Sequence, residues 1–212
     1  MSKINILGIG PGSKDYLLKI TEKEIIKSDV LIGGERALSL FSDLNKKKIK
    51  ITSDLKSIKN YILQNYKKEK ISVLVSGDPG LFSMMNYLKR NISKDLLKII
   101  PGISSLQLAA ARVKINWNDM NIISLHGKNI EDDFINEVKS KSKIGLFTDN
   151  NFSPDKIASF LLNKGVKNKK VVVFEKLSYP DEKIVKGSLE KIKTDDFANL
   201  TVMVILDEEM EI

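Results

Sequence analysis

Three glycine-bearing stretches contain most of the residues that could bind or react. The first is Gly8-Ile9-Gly10-Pro11-Gly12, the second Ser76-Gly77-Asp78-Pro79-Gly80-Leu81-Phe82, and the third Pro101-Gly102-Ile103-Ser104-Ser105. Glycine lets a backbone approach a ligand closely, and Pro11 fixes φ while removing a donor. The first stretch lacks the Gly-Lys-Ser/Thr ending of a P-loop, and Ser13 stands where a dinucleotide fingerprint needs its third glycine. Asp78 reads either as a helix cap, with Pro79 in the first turn, or as an acceptor for a ribose or amino group. Local chemistry favours the cap. Ser104 with Gln107 has capping-box spacing, and a helix N-terminus there would also offer free N–H groups to a ligand.

The remaining reactive residues are few. The chain has no cysteine, which excludes disulfides, thiolate nucleophiles and zinc–cysteine sites. His126 is the single histidine. It reads as a structural residue at a strand end, or as a group that moves a proton or binds a carboxylate. No nucleophilic triad and no metal-ligand cluster is apparent, so no metal is expected. The net charge of +8 would suit an anionic partner. Only Arg36, Arg90 and Arg112 carry the guanidinium suited to bidentate phosphate readout, however, and the Lys, Asn and Ile bias reads equally well as genome composition. With no aromatic–basic clusters, no nucleic-acid partner is expected.

These groups need elements to hold them. Nearly continuous apolar runs predict strands over 4–9, 30–32, 72–75, 98–100, 121–125, 144–147, 171–174 and 200–206. Helical spacing appears between them. Leu55, Ile58, Ile62 and Tyr66 form one face, Leu106, Ala109, Ala110 and Val113 another, and Ile157, Phe160 and Leu161 a third, which ends at the glycine stop of Lys164-Gly165. The alternation predicts an α/β fold, with each glycine stretch at the carboxyl end of a strand, where open α/β sheets bind ligands. A polar pause at 113–119 places a domain boundary between an N-terminal domain, 1–116, and a C-terminal domain, 117–212. No apolar run approaches the roughly 20 residues of a membrane span, and the N-terminus lacks a signal-peptide core, which predicts a cytoplasmic protein away from membranes. Glu35, just after the second strand, leaves an NAD-dependent oxidoreductase as an outside reading.

Taken in order, Gly8-x-Gly10-Pro11-Gly12, Ser76-Gly77-Asp78-Pro79 and Pro101-Gly102-Ile103-Ser104-Ser105 resemble the tetrapyrrole methylase family. Leu108-Ala109-Ala110-Ala111-Arg112, Trp117, Ser124-Leu125-His126-Gly127, Thr148-Asp149, Pro154 with Ile157-Ala158, and Glu175-Lys176-Leu177 look like its branch that methylates carbon 5 of cobalt-precorrin-7, or of precorrin-6Y in the aerobic route. The resemblance covers essentially the whole chain. It implies two α/β domains with an inter-domain cofactor cleft, a homodimer, and S-adenosylmethionine as methyl donor. Carried over residue by residue, Pro11, Gly77, Asp78, Leu81, Phe82, Ser104 and Ser105 would contact the donor, and from the second domain Thr148, Leu177 and Thr201. At the last of these, Leu200-Thr201 replaces the family's common Pro-Ala. Arg112 and Lys128 would meet the carboxylates of the tetrapyrrole, and His126 would be the catalytic candidate. The matching aerobic protein is fused to a decarboxylating methyltransferase acting at carbon 15, so a separate partner enzyme is implied. A ribosomal-RNA methylase of related fold and a non-catalytic tetrapyrrole carrier are the rival readings. An enamine-like ring carbon needs placement more than a base, and placement can supply roughly 7–11 kcal/mol of barrier reduction.

Overall fold

The computed structural model describes residues 4–125, 132–149 and 151–211. His126 and Lys128 lie outside the described residues. The chain divides into two compact units, Met1–Ser104 and Ser105–Ile212.

The first unit runs β1 (Ile4–Gly8), α1 (Lys19–Lys27), β2 (Val30–Gly33), α2 (Glu35–Ser39), β3 (Lys47–Lys50), α3 (Leu55–Asn65), β4 (Ile71–Val75), α4 (Met85–Asn91) and β5 (Leu97–Ile100). All strand pairs are parallel, in the order β3-β2-β4-β1-β5. Strands β1, β2 and β4 are buried along their whole length, as their unbroken apolar runs predict for a sheet covered on both faces. One covering layer is α3. The Asp54 carboxylate accepts the Ser57 N–H at 3.0 Å and starts the helix, and Ile58 and Ile62 are buried beside Ile4, Ile6 and Val73. Each such side chain contributes about 1.5–3 kcal/mol by leaving water.

The second unit runs α5 (Ser105–Arg112), β6 (Asn121–Ser124), α6 (Asp132–Ser140), β7 (Lys143–Phe147), α7 (Pro154–Asn163), β8 (Lys169–Glu175), β9 (Lys183–Ser188), α8 (Leu189–Lys193) and β10 (Thr201–Asp207). Its sheet has the order β6-β7-β10-β8-β9. Only the β6–β7 pair is parallel; β10 runs antiparallel between β7 and β8, and β9 is antiparallel to β8. The predicted glycine stop is present. Gly165 adopts φ +74°, its N–H bonds the Leu162 carbonyl, and the Val166 N–H bonds that of Leu161, both at 3.0 Å, which is the doubly bonded helix end that glycine permits.

The units meet at 104/105, whereas the polar pause points to 116/117. The physical reason is α5. Its Leu106 side chain lies over the face of β7 at Gly145, so closely that a Cβ there would come within 3.0 Å of it. The two strands that apolar runs do not reveal are β3, Lys-Lys-Ile-Lys, and β9, Lys-Ile-Val-Lys-Gly-Ser. Both are sheet edges with largely exposed side chains, so neither carries the pattern by which the other strands are recognised.

Candidate functional site

In the first unit, β4, β1 and β5 are neighbours in the sheet, so all three glycine turns emerge at one end, beyond the strands' carboxyl termini. They are interlocked through backbone. The Ile9 N–H bonds the Val75 carbonyl at 3.0 Å, the Gly77 N–H bonds the Gly10 carbonyl at 2.7 Å, and the Gly10 N–H returns to that of Gly77 at 3.4 Å. Gly10 and Gly77 have φ of +80° and +67°, a region that side-chain-bearing residues rarely occupy. Gly8 and Gly102 are glycines for want of space. A Cβ on Gly8 would stand 2.5 Å from the Gly102 nitrogen, and one on Gly102 would stand 2.3 Å from the Gly77 carbonyl oxygen.

Asp78 braces this junction. Its Oδ1 accepts the Gly80 N–H at 2.6 Å and its Oδ2 the Gly102 N–H at 3.0 Å, tying the second turn to the third. The capping role favoured by local chemistry is not what it performs: α4 begins only at Met85, with Met84 at the cap position. The spacing to Gly80 is instead that of a side chain closing its own turn. Pro79 is buried beside it, while Leu81 is half-buried. Phe82 has φ +44° and is 52% exposed, so a strained backbone presents an aromatic ring to solvent. Pro11 is half-buried, Ser104 is buried, and Ser105 opens α5.

In the second unit, Thr148 follows β7 and Thr201 begins β10, so the antiparallel register sets them side by side. The Thr148 hydroxyl donates to the Thr201 carbonyl at 2.9 Å, and the two hydroxyls are themselves in hydrogen-bond contact, so the Thr201 hydroxyl must donate to Thr148. Both residues are buried. On the other flank of Thr201 is Glu175, also buried. Its Oε1 accepts the Ala198 N–H at 2.7 Å, and the Lys183 ammonium stands 3.3 Å from its Oε2. Leu177 follows in the same loop, 5% exposed. The sheet thus gathers Thr148, Leu177 and Thr201, predicted from scattered positions, at one end of the second unit.

Arg112, predicted to meet substrate carboxylates, already faces one from the chain itself. Its Nε and Nη2 donate to Glu182 at 2.6 and 3.2 Å. This guanidinium holds the Glu182 carboxyl below the usual carboxylate range. Nothing in the local sequence signals a partner 70 positions away. Glu35, the acid that left an oxidoreductase reading open, is exposed and ion-paired with Lys50. Among the described residues no group of His, Asp or Glu is placed to hold a metal ion, and no helix is long and apolar enough to cross a membrane.

A parallel sheet whose adjacent strands end in locked glycine turns, followed by a mixed-sheet unit carrying a buried hydroxyl pair, is the architecture of an α/β enzyme, with its candidate site beyond the carboxyl ends of the parallel strands. The chain matches the profile of the tetrapyrrole (corrin/porphyrin) methylases over residues 3–193, and it belongs to that family; it is a methyltransferase. A probable cobalt-precorrin-7 C(5)-methyltransferase of Methanocaldococcus jannaschii is 40% identical, the match covering 97% of this chain and 99% of that one. A precorrin-6Y C(5,15)-methyltransferase (decarboxylating) of a Sinorhizobium species is 24% identical over 85% of this chain and 44% of its own. Among solved structures, a uroporphyrin-III C-methyltransferase of Thermus thermophilus complexed with S-adenosylhomocysteine superposes with a TM-score of 0.77, at 16% identity, covering 96% of this chain and 91% of that one.

Within the first unit, Asp78 has acceptor capacity beyond the two N–H groups it holds, Ser104 adds a hydroxyl, and Leu81 and Phe82 add apolar and aromatic surface.

Proposed function

We propose that this chain methylates carbon 5 of cobalt-precorrin-7, or of precorrin-6Y, in cobalamin biosynthesis, with S-adenosylmethionine as donor. One observation carries the position on the ring: identity of 40%, end to end, with a probable C(5)-methyltransferase. When bound, the donor supplies a methyl group already activated on sulfur. The chain's own work is binding, orientation and exclusion of water. Pro11, Gly77, Asp78, Leu81, Phe82 and Ser104 of the first unit hold the donor, with Ser105, Thr148, Leu177 and Thr201 of the second. The locked turns support this assignment, because rigid backbone donors and acceptors lose little freedom when they meet a ligand.

Lys128 binds carboxylates of the tetrapyrrole, and His126, two positions earlier, binds another or handles a proton on the macrocycle. The enzyme works in the cytoplasm as a homodimer. A separate decarboxylating methyltransferase acts at carbon 15, a division of labour suggested by the relative of which the match covers only 44%. The test is incubation with cobalt-precorrin-7 and S-adenosylmethionine labelled with ¹³C on the methyl, followed by NMR location of the label. Label at carbon 5 is expected; label at another carbon overturns the position. A protein that binds donor and tetrapyrrole without transfer is a carrier.

A further inference from the structure

The segment joining β8 to β9, residues 176–182, is held in a conformation it would not adopt alone. Lys176 and Ser178 have φ of +49° and +72°, and neither is glycine. Between these two left-handed residues sits Leu177. A strained turn of this kind persists only where its surroundings over-determine it.

Four interactions do so. The Lys176 N–H bonds the Leu200 carbonyl at 2.8 Å, the Tyr179 N–H bonds the Lys176 carbonyl at 3.0 Å, and Lys176 is ion-paired with Asp181. The fourth is Glu182. Its Oε2 accepts the Ser178 N–H at 2.7 Å from within the turn, while Nε and Nη2 of Arg112 grip both carboxylate oxygens from outside it. Arg112 is the last residue of α5, so one carboxylate fastens the turn to a helix. The side chains of Glu182 and Arg112 are 17% and 35% exposed, which shields the pair from much of the screening that weakens surface ion pairs. The paired fork geometry is specific to Arg, since a Lys ammonium cannot match both oxygens.

We propose that Arg112 and Glu182 are positioning residues for the methyl donor: together they fix the turn that presents Leu177, and donor affinity depends on their bond although neither touches the donor. This rests on the reading of Leu177 as a donor contact. It gives Arg112 a role other than binding substrate carboxylates, and the two roles predict opposite kinetics.

The experiment measures the Kd of S-adenosylhomocysteine by calorimetry, with kcat and KM for each substrate, in Arg112→Leu, Glu182→Gln, the double variant and Leu177→Ala of the full chain. Arg112→Leu and Glu182→Gln are each expected to weaken S-adenosylhomocysteine binding about tenfold. The double variant should be no worse than the weaker single, because the two residues share one interaction. The tetrapyrrole KM should stay within about twofold of wild type. Arg112→Lys, which keeps the charge but loses the fork, should fall between and serves if Arg112→Leu does not fold. The proposal is overturned if Arg112→Leu raises the tetrapyrrole KM while Glu182→Gln leaves donor affinity unchanged, the pattern of a substrate ligand. If Leu177→Ala itself leaves donor affinity unchanged, the reading of Leu177 fails and takes the proposal with it. If Leu177→Ala weakens donor binding and neither partner of the pair does, the clamp alone fails.

Discussion

Gly102→Ala tests the glycine junction most directly. Gly102 lies outside the left-handed region, so the demand for glycine there is purely one of space. An added Cβ would lie 2.3 Å from the Gly77 carbonyl oxygen and 2.7 Å from the Gly8 carbonyl carbon. Both neighbours are backbone and neither can yield. Gly8 ends a buried strand, and Gly77 is pinned to Gly10 by a pair of hydrogen bonds. Two responses are open. The chain can stay in place under compression, which for overpacked sites costs about 1–3 kcal/mol. Alternatively the third turn swings away and breaks the Gly102 N–H bond to the Asp78 carboxylate, a charge-assisted bond with a value of roughly 1.5–3 kcal/mol. Either route costs about 1–3 kcal/mol, a fall in Tm of roughly 2–12 °C for a chain of this size. Because Ser104 moves with the turn and Asp78 loses its tie to it, S-adenosylhomocysteine affinity should drop as well. The measurements are urea midpoints and calorimetry, with Gly34→Ala as control. A Cβ on Gly34 would meet nothing within 4 Å, and its substitution should stay within about 0.5 kcal/mol of wild type. A Gly102→Ala protein as stable as that control, with unchanged ligand affinity, would refute the interlocked junction.

Asp78→Ala removes the acceptor for two backbone N–H groups and should cost roughly 2 kcal/mol, together with at least tenfold in donor affinity by calorimetry. If affinity and stability both hold, Asp78 neither braces the turns nor binds. Thr148→Val keeps the shape but leaves the buried Thr201 hydroxyl and carbonyl short of a partner, for about 1–2 kcal/mol of stability read from urea midpoints, and donor binding should weaken with it. For pH, Glu182 is held below the usual carboxylate range chiefly by its hydrogen bond to Arg112. A depressed folded-state pKa means that the bond stabilises fully above the ordinary carboxylate value and that this stability is lost as pH falls through the lower folded value. Urea midpoints measured downward from about pH 5 should therefore fall less steeply in Arg112→Leu than in wild type; parallel curves would show that the pair is not coupled to folding.

What the sequence made legible follows from what each feature needs. Central strands need unbroken apolar runs, and β1, β2, β4, β8 and β10 are readable from them to within a residue or two. Their direction is not: the same run serves a parallel or an antiparallel neighbour, and the mixed second sheet is invisible for that reason. The glycine stop at 165 is legible because one residue carries the whole signal. Asp78 misleads because a Pro one residue on looks the same whether a helix follows at once or only at Met85. The acceptor pairing from Asp78 to Gly102 and the clamp from Arg112 to Glu182 have no local pattern at all. Each depends on which strands and helices become neighbours, which is decided by the whole fold.

The excess of positive charge illustrates how a compositional signal can belong to the fold. Read from composition, +8 suggests attraction to a polyanion. In the folded chain two of the four edge strands are rich in lysine: Lys47, Lys48 and Lys50 on β3, and Lys183 and Lys186 on β9. An unpaired strand edge offers a row of N–H and carbonyl groups to any other strand, and lysine is the residue that most effectively discourages that pairing. Several of these lysines also have local partners. Lys47 lies 3.6 Å from Glu69 and 4.7 Å from the centre of the Tyr61 ring, Lys50 is ion-paired with Glu35, and Lys183 reaches Glu175. An exposed pair such as Lys50 with Glu35 adds only about 0–1 kcal/mol, so stability alone does not account for the lysines on these two edges. Protection of the edges does, and it requires no anionic ligand. Charge that bears on the tetrapyrrole must therefore be sought residue by residue, at positions such as Lys128, and not in the net value.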